Sequence, residues 1–574
     1  MKAKKWLSAL LVAAMCVTLL AGCGGGDDSK KEEGGDSGDG GSSASGGAQE
    51  LVAADTADVT TMDPIQTSML TDQRAAAPVY EGLMRRSMDE NGELILVPGA
   101  AESYEVSDDE LVYTFHLQPE GKFSNGDPVT AEDVVYSYKR MFDPNLASPQ
   151  SWQLQDMVLN ARDCFEGNKD LSELGVKAID DKTVEITLST ANPNFLTVST
   201  FPFARIVSKK FVEECGDKFG SSADMVMGSG PYKVVSWEPG FGSVYEPNEH
   251  YWDAENVHIT KLTRKVVTEV SSLAQSFMNK EIDIANMNDT DWNDMVDQTG
   301  YYDVRENPEM SAYFFIFNCE NPMFANWKVR LAISLGFDRD RLIEEAYGNK
   351  FIPAYSFEPQ IATVGDSLWV DVAGDSKDYM KTLAEKYPDP KALLLEGMKE
   401  AGLGDDPSAL EIKYTTLGTT EAVKKAAEWT KQELEANLGI KINIELTEAN
   451  VAYDQIDASQ YEMAFGGWGV DSGTEPWRLL RLFGKEEYYG QAKVHWTGEK
   501  ADRYTELVTE MQQTFDPDRL LELYKEAEPL VLEEAPVTPV YCSKQRTLVA
   551  KNVSGYLAHP FLMPDYIGVE KTAE

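Results

Sequence analysis

The stretch from residue 389 to residue 446 most constrains how this chain can fold. Asp389-Pro390 offers an N-cap and a proline at the first helical position, and Gly402 can end that helix. Glu411 to Thr416 reads as a strand. From Thr420 to Leu438, Val423, Ala427, Thr430, Leu434 and Leu438 fall on one helical stripe, and Gly439 follows as a terminator. Ile440, Ile442, Ile444 and Leu446 then alternate with polar residues, a period of two that predicts a strand. Strand and helix succeed each other along one chain, which implies a mixed sheet covered by helices.

The first part of the chain has more strand character. Leu111, Tyr113, Phe115 and Leu117 alternate with Val112, Thr114 and His116, and Thr183 to Leu188 alternates again. Thr130 with Asp133 three residues on forms a variant capping box, and Val134, Val135, Tyr138 and Met141 continue at helical spacing. Asp516-Pro517 opens a further helix reaching about Glu534. No internal repeat is present.

Composition narrows the function. The 574 residues are 42% hydrophobic and 10% aromatic, as in a folded globular protein, and carry a formal net charge of −44. That charge argues against nucleic acid, which demands clustered Lys and Arg, and against docking on anionic lipid. It suits steering of cationic ligands or plain solubility. The five histidines include no pair at i,i+4, and there is no H-E-x-x-H, G-x-S-x-G or C-x-x-C. With no catalytic or metal-binding constellation, the chain is expected to be a binder with no cofactor.

Lys2, Lys4 and Lys5 precede an apolar run from Trp6 to Leu20, which reads as a secretory signal too short to span a bilayer. Leu20-Ala21-Gly22-Cys23 closes it and resembles the lipobox of bacterial lipoproteins. The resemblance implies a signal peptide over 1–22 and a diacylglyceryl group on Cys23, enough acyl chain for stable membrane attachment. Residues 24 to 50 are dominated by Gly, Ser, Asp, Glu and Lys, with no aromatic or β-branched residue, a composition expected to stay disordered and to span roughly 30 Å as a flexible coil. About 520 residues remain as the folded body, enough for two to four domains. Its cysteines Cys164, Cys215, Cys319 and Cys542 either pair in one of three ways or stay as buried thiols.

Several landmarks in this body occur in an order that resembles the large peptide-binding lipoproteins of ATP-driven importers, solute-binding family 5. They are Asp63-Pro64, Tyr80-Glu81-Gly82-Leu83, Phe123-Ser-Asn-Gly-Asp-Pro-Val-Thr-Ala-Glu-Asp-Val-Val-Tyr-Ser-Tyr138, Val176-Lys-Ala-Ile-Asp-Asp181, Gly228-Ser-Gly-Pro-Tyr-Lys233, Asn248-Glu-His-Tyr-Trp-Asp253, Val329-Arg-Leu-Ala-Ile333 with Asp338-Arg339, and Gly467-Trp-Gly-Val-Asp471. The resemblance implies an α/β, two-lobed periplasmic-binding-protein-like fold of type II, large cluster C type, with an extra domain in the first lobe. Lobe I would combine 51–80, 238–308 and 545–574, the extra domain 81–237, and lobe II 309–544. Ligand would sit between lobes that close by a hinge.

By the same resemblance, Asp471 pairs with a peptide's α-ammonium, and Gly467, Gly469, Ser68 and Leu70 pair with its amides. Trp468 and Val470 complete the run beside them. Asp471 also suits an N-cap before Ser472-Gly473-Thr474, and Trp468 a core position. The basic residues that hold the ligand carboxylate in enteric relatives are matched here by Phe465, Ile456 and Val423. A cleft tyrosine is matched by Gln150, and a bridged cysteine pair by Ser311 and Gly469. The expectation is a lipid-anchored, monomeric receptor on the outer face of a bacterial, Gram-positive cytoplasmic membrane, delivering peptides to an ABC-type permease. The alternatives are a non-peptide solute such as a metal chelate, haem or oligosaccharide, a signalling peptide, a secreted hydrolase, or a chaperone role.

Overall fold

Local signals in the sequence become element ends in the structure. The computed structural model describes residues 49–573, apart from residues 68, 90, 91, 93, 290, 366, 470–476, 486–492 and 560. The leader, Cys23 and the linker up to residue 48 lie outside the described residues, as do Ser68, Val470 and Asp471. Thr130 caps helix Ala131–Met141 in a full capping box with Asp133. Asp389 caps Pro390–Glu400, Thr420 caps Glu421–Leu438, and Asp516 caps Pro517–Glu534. Gly439 ends the second of these in the left-handed region at φ 80°, where a side chain would be strained. The buried stripe of Glu421–Leu438 is Ala426, Ala427, Thr430, Leu434 and Leu438. Val423, in the first turn, is only half-buried. The expected strand after it stops at Glu445, and Leu446 is 43% exposed beyond its end.

Three sheets organise the molecule. A seven-stranded sheet runs in the order Tyr302–Pro308, Lys544–Ala550, Ile284–Asn286, Glu50–Asp55, Lys261–Val266, Gly242–Pro247, Tyr232–Glu238. A six-stranded sheet runs Ile352–Pro353, Val537–Cys542, Ser311–Phe317, Met463–Gly469, Glu411–Thr415, Lys441–Glu445. Both are mixed: Glu50–Asp55 and Glu411–Thr415 are each parallel to both neighbours. A four-stranded antiparallel sheet, Ala101–Val106, Val112–Leu117, Thr183–Thr187, Val176–Asp180, makes a third layer. Each sheet has its own apolar core. Phe314, Ile316, Leu434 and Trp369 belong to the six-stranded one, Leu51, Tyr245 and Leu548 to the seven-stranded one, and Phe115, Val134 and Phe195 to the four-stranded one.

The chain crosses between the two large sheets in very few residues. Tyr302–Pro308 and Ser311–Phe317 belong to different sheets and are separated by Glu309 and Met310 alone. Val537–Cys542 and Lys544–Ala550 are likewise split by Ser543. The two crossings lie side by side: the Glu309 amide donates to the Ser543 carbonyl at 2.9 Å, and the Ser543 amide to Ser311 Oγ at 3.1 Å. The four cysteines of the body are free thiols, Cys164 and Cys542 buried. Among the described residues no helix is long and apolar enough to cross a membrane.

Candidate functional site

Strand Met463–Gly469 carries the glycine-rich run singled out in the sequence. One edge pairs fully with Ser311–Phe317, in a register that sets Gly467 opposite Tyr313 and Gly469 opposite Ser311. Its other edge meets Glu411–Thr415 only at Met463 and Ala464. From Phe465 to Gly469 no described strand lies along that edge, and the Tyr453 hydroxyl donates to the Gly467 carbonyl at 2.9 Å. Gly467 is required by contact: a Cβ there would lie 2.4 Å from ring carbons of Tyr313. That ring stacks on Tyr541 at 4.8 Å, and Tyr541 on Phe351 at 4.1 Å. The cross-strand pairing of Ser311 with Gly469 places side by side the two positions matched to a bridged cysteine pair.

Gly469, at the end of this strand, lines a cavity of about 380 Å³. Gly469 and Ser311 line it from one side, Leu70, Gln150, Phe203 and Phe561 from the other. Leu70 opens helix Leu70–Ala76 and is 48% exposed. The chain leading to it is pinned down. Asp63 makes a two-armed ion pair with Arg140, at 3.1 and 2.8 Å. Ser148 Oγ donates to the Ile65 carbonyl at 2.6 Å, and Gln150 Nε2 to the Thr67 carbonyl at 2.8 Å. Gln150, expected to replace a cleft tyrosine, thus both holds the segment and lines the cavity. Trp468 is 39% exposed and is no part of the cavity wall.

The positions matched to carboxylate-binding residues carry no charge. Phe465 and Ile456 are buried in the core of the six-stranded lobe. The cavity instead holds a group of charged residues that sequence reasoning missed. Glu81, 1% exposed, lies 3.8 Å from Arg85 and 3.6 Å from Arg205 and accepts the Tyr251 hydroxyl at 2.7 Å. Asp565 adds a second contact to Arg85 at 3.4 Å. Burial pushes the Glu81 carboxyl up against the pull of these arginines. Burial opposes the charge on Arg85 too, but Glu81, Tyr251 and Asp565 together raise it. The only cue in the sequence was Arg85-Arg86 directly after the Tyr80-Glu81-Gly82-Leu83 landmark. Among the described residues no group of three or more His, Cys, Asp or Glu is arranged to hold a metal ion.

A family model for bacterial extracellular solute-binding proteins, family 5 Middle, matches residues 96–490. The chain belongs to this family. The solute-binding protein is 30% identical over 513 residues to the periplasmic oligopeptide-binding protein OppA of Salmonella typhimurium, covering 88% of this chain and 90% of that one. It is 29% identical to the dipeptide-binding protein DppE of Bacillus subtilis, covering 84% of each chain. The substrate-binding domain of an oligopeptide ABC transporter from Bacillus anthracis superposes at a TM-score of 0.70 with 27% identity, covering 92% of this chain and 99% of that one. The two-lobed α/β architecture is that of these binding proteins, and the family is one of extracellular solute binders, not enzymes.

Proposed function

We propose that this solute-binding protein captures peptides between its lobes and delivers them to an ABC-type permease from a lipid anchor on Cys23. One observation carries the peptide reading: from Phe465 to Gly469 no described strand lies along one edge of Met463–Gly469, and Gly469 at its end lines the cavity. An extended peptide can add to such an edge through main-chain hydrogen bonds, which give affinity without choosing a sequence. Asp471, two residues past Gly469, neutralises the ligand's α-ammonium in this reading, with Ser68 and Leu70 on the facing segment and Trp468 and Val470 flanking. The Salmonella and Bacillus relatives, an oligopeptide-binding and a dipeptide-binding protein, support the ligand class. In this reading lobe I combines 51–80, 238–308 and 545–574 and also takes strand Tyr232–Glu238, which pairs in the seven-stranded sheet, so that the extra domain falls within 81–231 rather than 81–237; lobe II is 309–544. The lipobox-like Leu20-Ala21-Gly22-Cys23 and the Gly- and Ser-rich stretch after it support tethering outside a Gram-positive cytoplasmic membrane, where a tether raises effective concentration at the permease, and the receptor is taken as a monomer.

Calorimetry with a mixed peptide pool, free and N-acetylated, tests the reading. The free pool should bind and the acetylated pool should bind far more weakly. Asp471→Asn should cost about 2–5 kcal/mol if the charge pair is desolvated. Equal binding of both pools removes Asp471 from the site, and a non-peptide ligand found by mass spectrometry of the purified protein removes the peptide class.

A further inference from the structure

Three arginines face the cavity beside the open strand end, and their surroundings differ. Arg85 and Arg205 share Glu81, and Arg85 also has Asp565. The other acid lining the cavity, Glu309, is answered by Arg74. Arg86, the third arginine, has no carboxylate within ion-pair distance among the described residues. Its contacts are the face of Phe561, 5.6 Å from the ring centroid, and a long 3.4 Å hydrogen bond from Nη1 to the Phe561 carbonyl. Burial alone pushes its guanidinium down to about 10, with no acid to counter it. His559 cannot supply one: its Nδ1 accepts the Phe561 amide, and burial together with Arg86 holds it neutral at about 4.

A guanidinium is built for two-armed recognition of a carboxylate, and a half-buried one with no partner lacks what its geometry fits. We infer that Arg86 forms a carboxylate-accepting subsite at this end of the cleft, taking the acidic group of the bound ligand against the Phe561 ring. The inference rests on the peptide reading above and deepens it. It supplies a counter-charge where Phe465 and Ile456 offer none, and it makes ligands with a free carboxylate the preferred class. The carboxylate is the peptide's own C-terminus or an Asp or Glu side chain.

The test is calorimetry of the purified full-length protein with three peptide pools: free acid, C-amidated, and C-amidated with an Asp or Glu in every member. The free-acid pool should bind roughly ten- to hundredfold more tightly than the plain amidated pool. Recovery of affinity by the acidic amidated pool assigns the subsite to a side chain, and no recovery assigns it to the C-terminus. Arg86→Gln should erase the preference while leaving the penalty for N-acetylation intact, and Arg86→Lys should keep part of it. A melting curve matching the parent shows that Arg86→Gln is folded. If all pools bind equally well and Arg86→Gln changes nothing, the subsite is overturned while peptide capture stands. If no pool binds, peptide capture itself falls and the subsite with it.

Discussion

Asp63→Asn is the most informative single change to the framework of the cleft. The Asp63–Arg140 pair is two-armed, and its side chains are 7% and 9% exposed. Arg140 also lies 5.2 Å over the Phe219 ring, so little water reaches its charge. Asparagine keeps one acceptor and the shape but removes the counter-charge. A buried ion pair broken on one side costs about 3–5 kcal/mol, and the retained acceptor puts this case near 3. Urea unfolding read by tryptophan fluorescence gives the loss as a shift in midpoint times the slope. Arg140→Met closes a double-mutant cycle, and the pair should show a coupling of about 2 kcal/mol or more. The change also loosens the stretch that runs through Ile65 and Thr67 to Leu70, so peptide affinity should fall along with stability. A loss under about 1 kcal/mol, or additive single and double mutants, would refute the view that this pair holds the cleft edge.

Three further outcomes are expected. Gly467→Ala puts a methyl 2.4 Å from the Tyr313 ring and should cost about 1–3 kcal/mol in urea unfolding while weakening peptide binding. Burial raises the carboxyls of Glu358 and Glu528, the latter to about 8 from an ordinary value of 4.5. Glu528 is therefore neutral in the fold near neutrality, and its contribution is present at acid pH and lost as pH rises through the folded value. The urea midpoint should fall between about pH 5 and pH 8, and Glu528→Gln should flatten that fall; an unchanged pH profile in the variant refutes the assignment. Cys23→Ser should move the protein from the membrane fraction to the medium, and unchanged fractionation would count against lipid at that residue.

The local signals of the sequence translated well because they rest on short-range physics. Thr130, Asp389, Thr420 and Asp516 each cap a helix through their own side chain, and a cap depends only on residues two or three positions away. The ordered landmarks carried the two-lobed fold. Strand ends and stripe edges slipped where tertiary packing decides, as at Val423 and Leu446. In the site, Leu70 and Gly469 do line the cavity, but Trp468 does not. Arg85 and Arg86 are adjacent and identical in sequence. Only the arrival of Asp565, 480 residues away, and of the buried Glu81 separates a satisfied arginine from an unmatched one. No local pattern encodes that difference.

The paired crossings at Glu309-Met310 and Ser543 have a mechanical consequence. Two short links bonded to each other define a line, and bodies joined along a line keep one soft degree of freedom, rotation about it. Sliding and splaying would have to tear the strands that run straight out of each link. If peptides bind between the lobes as proposed, ligand size would set that single angle.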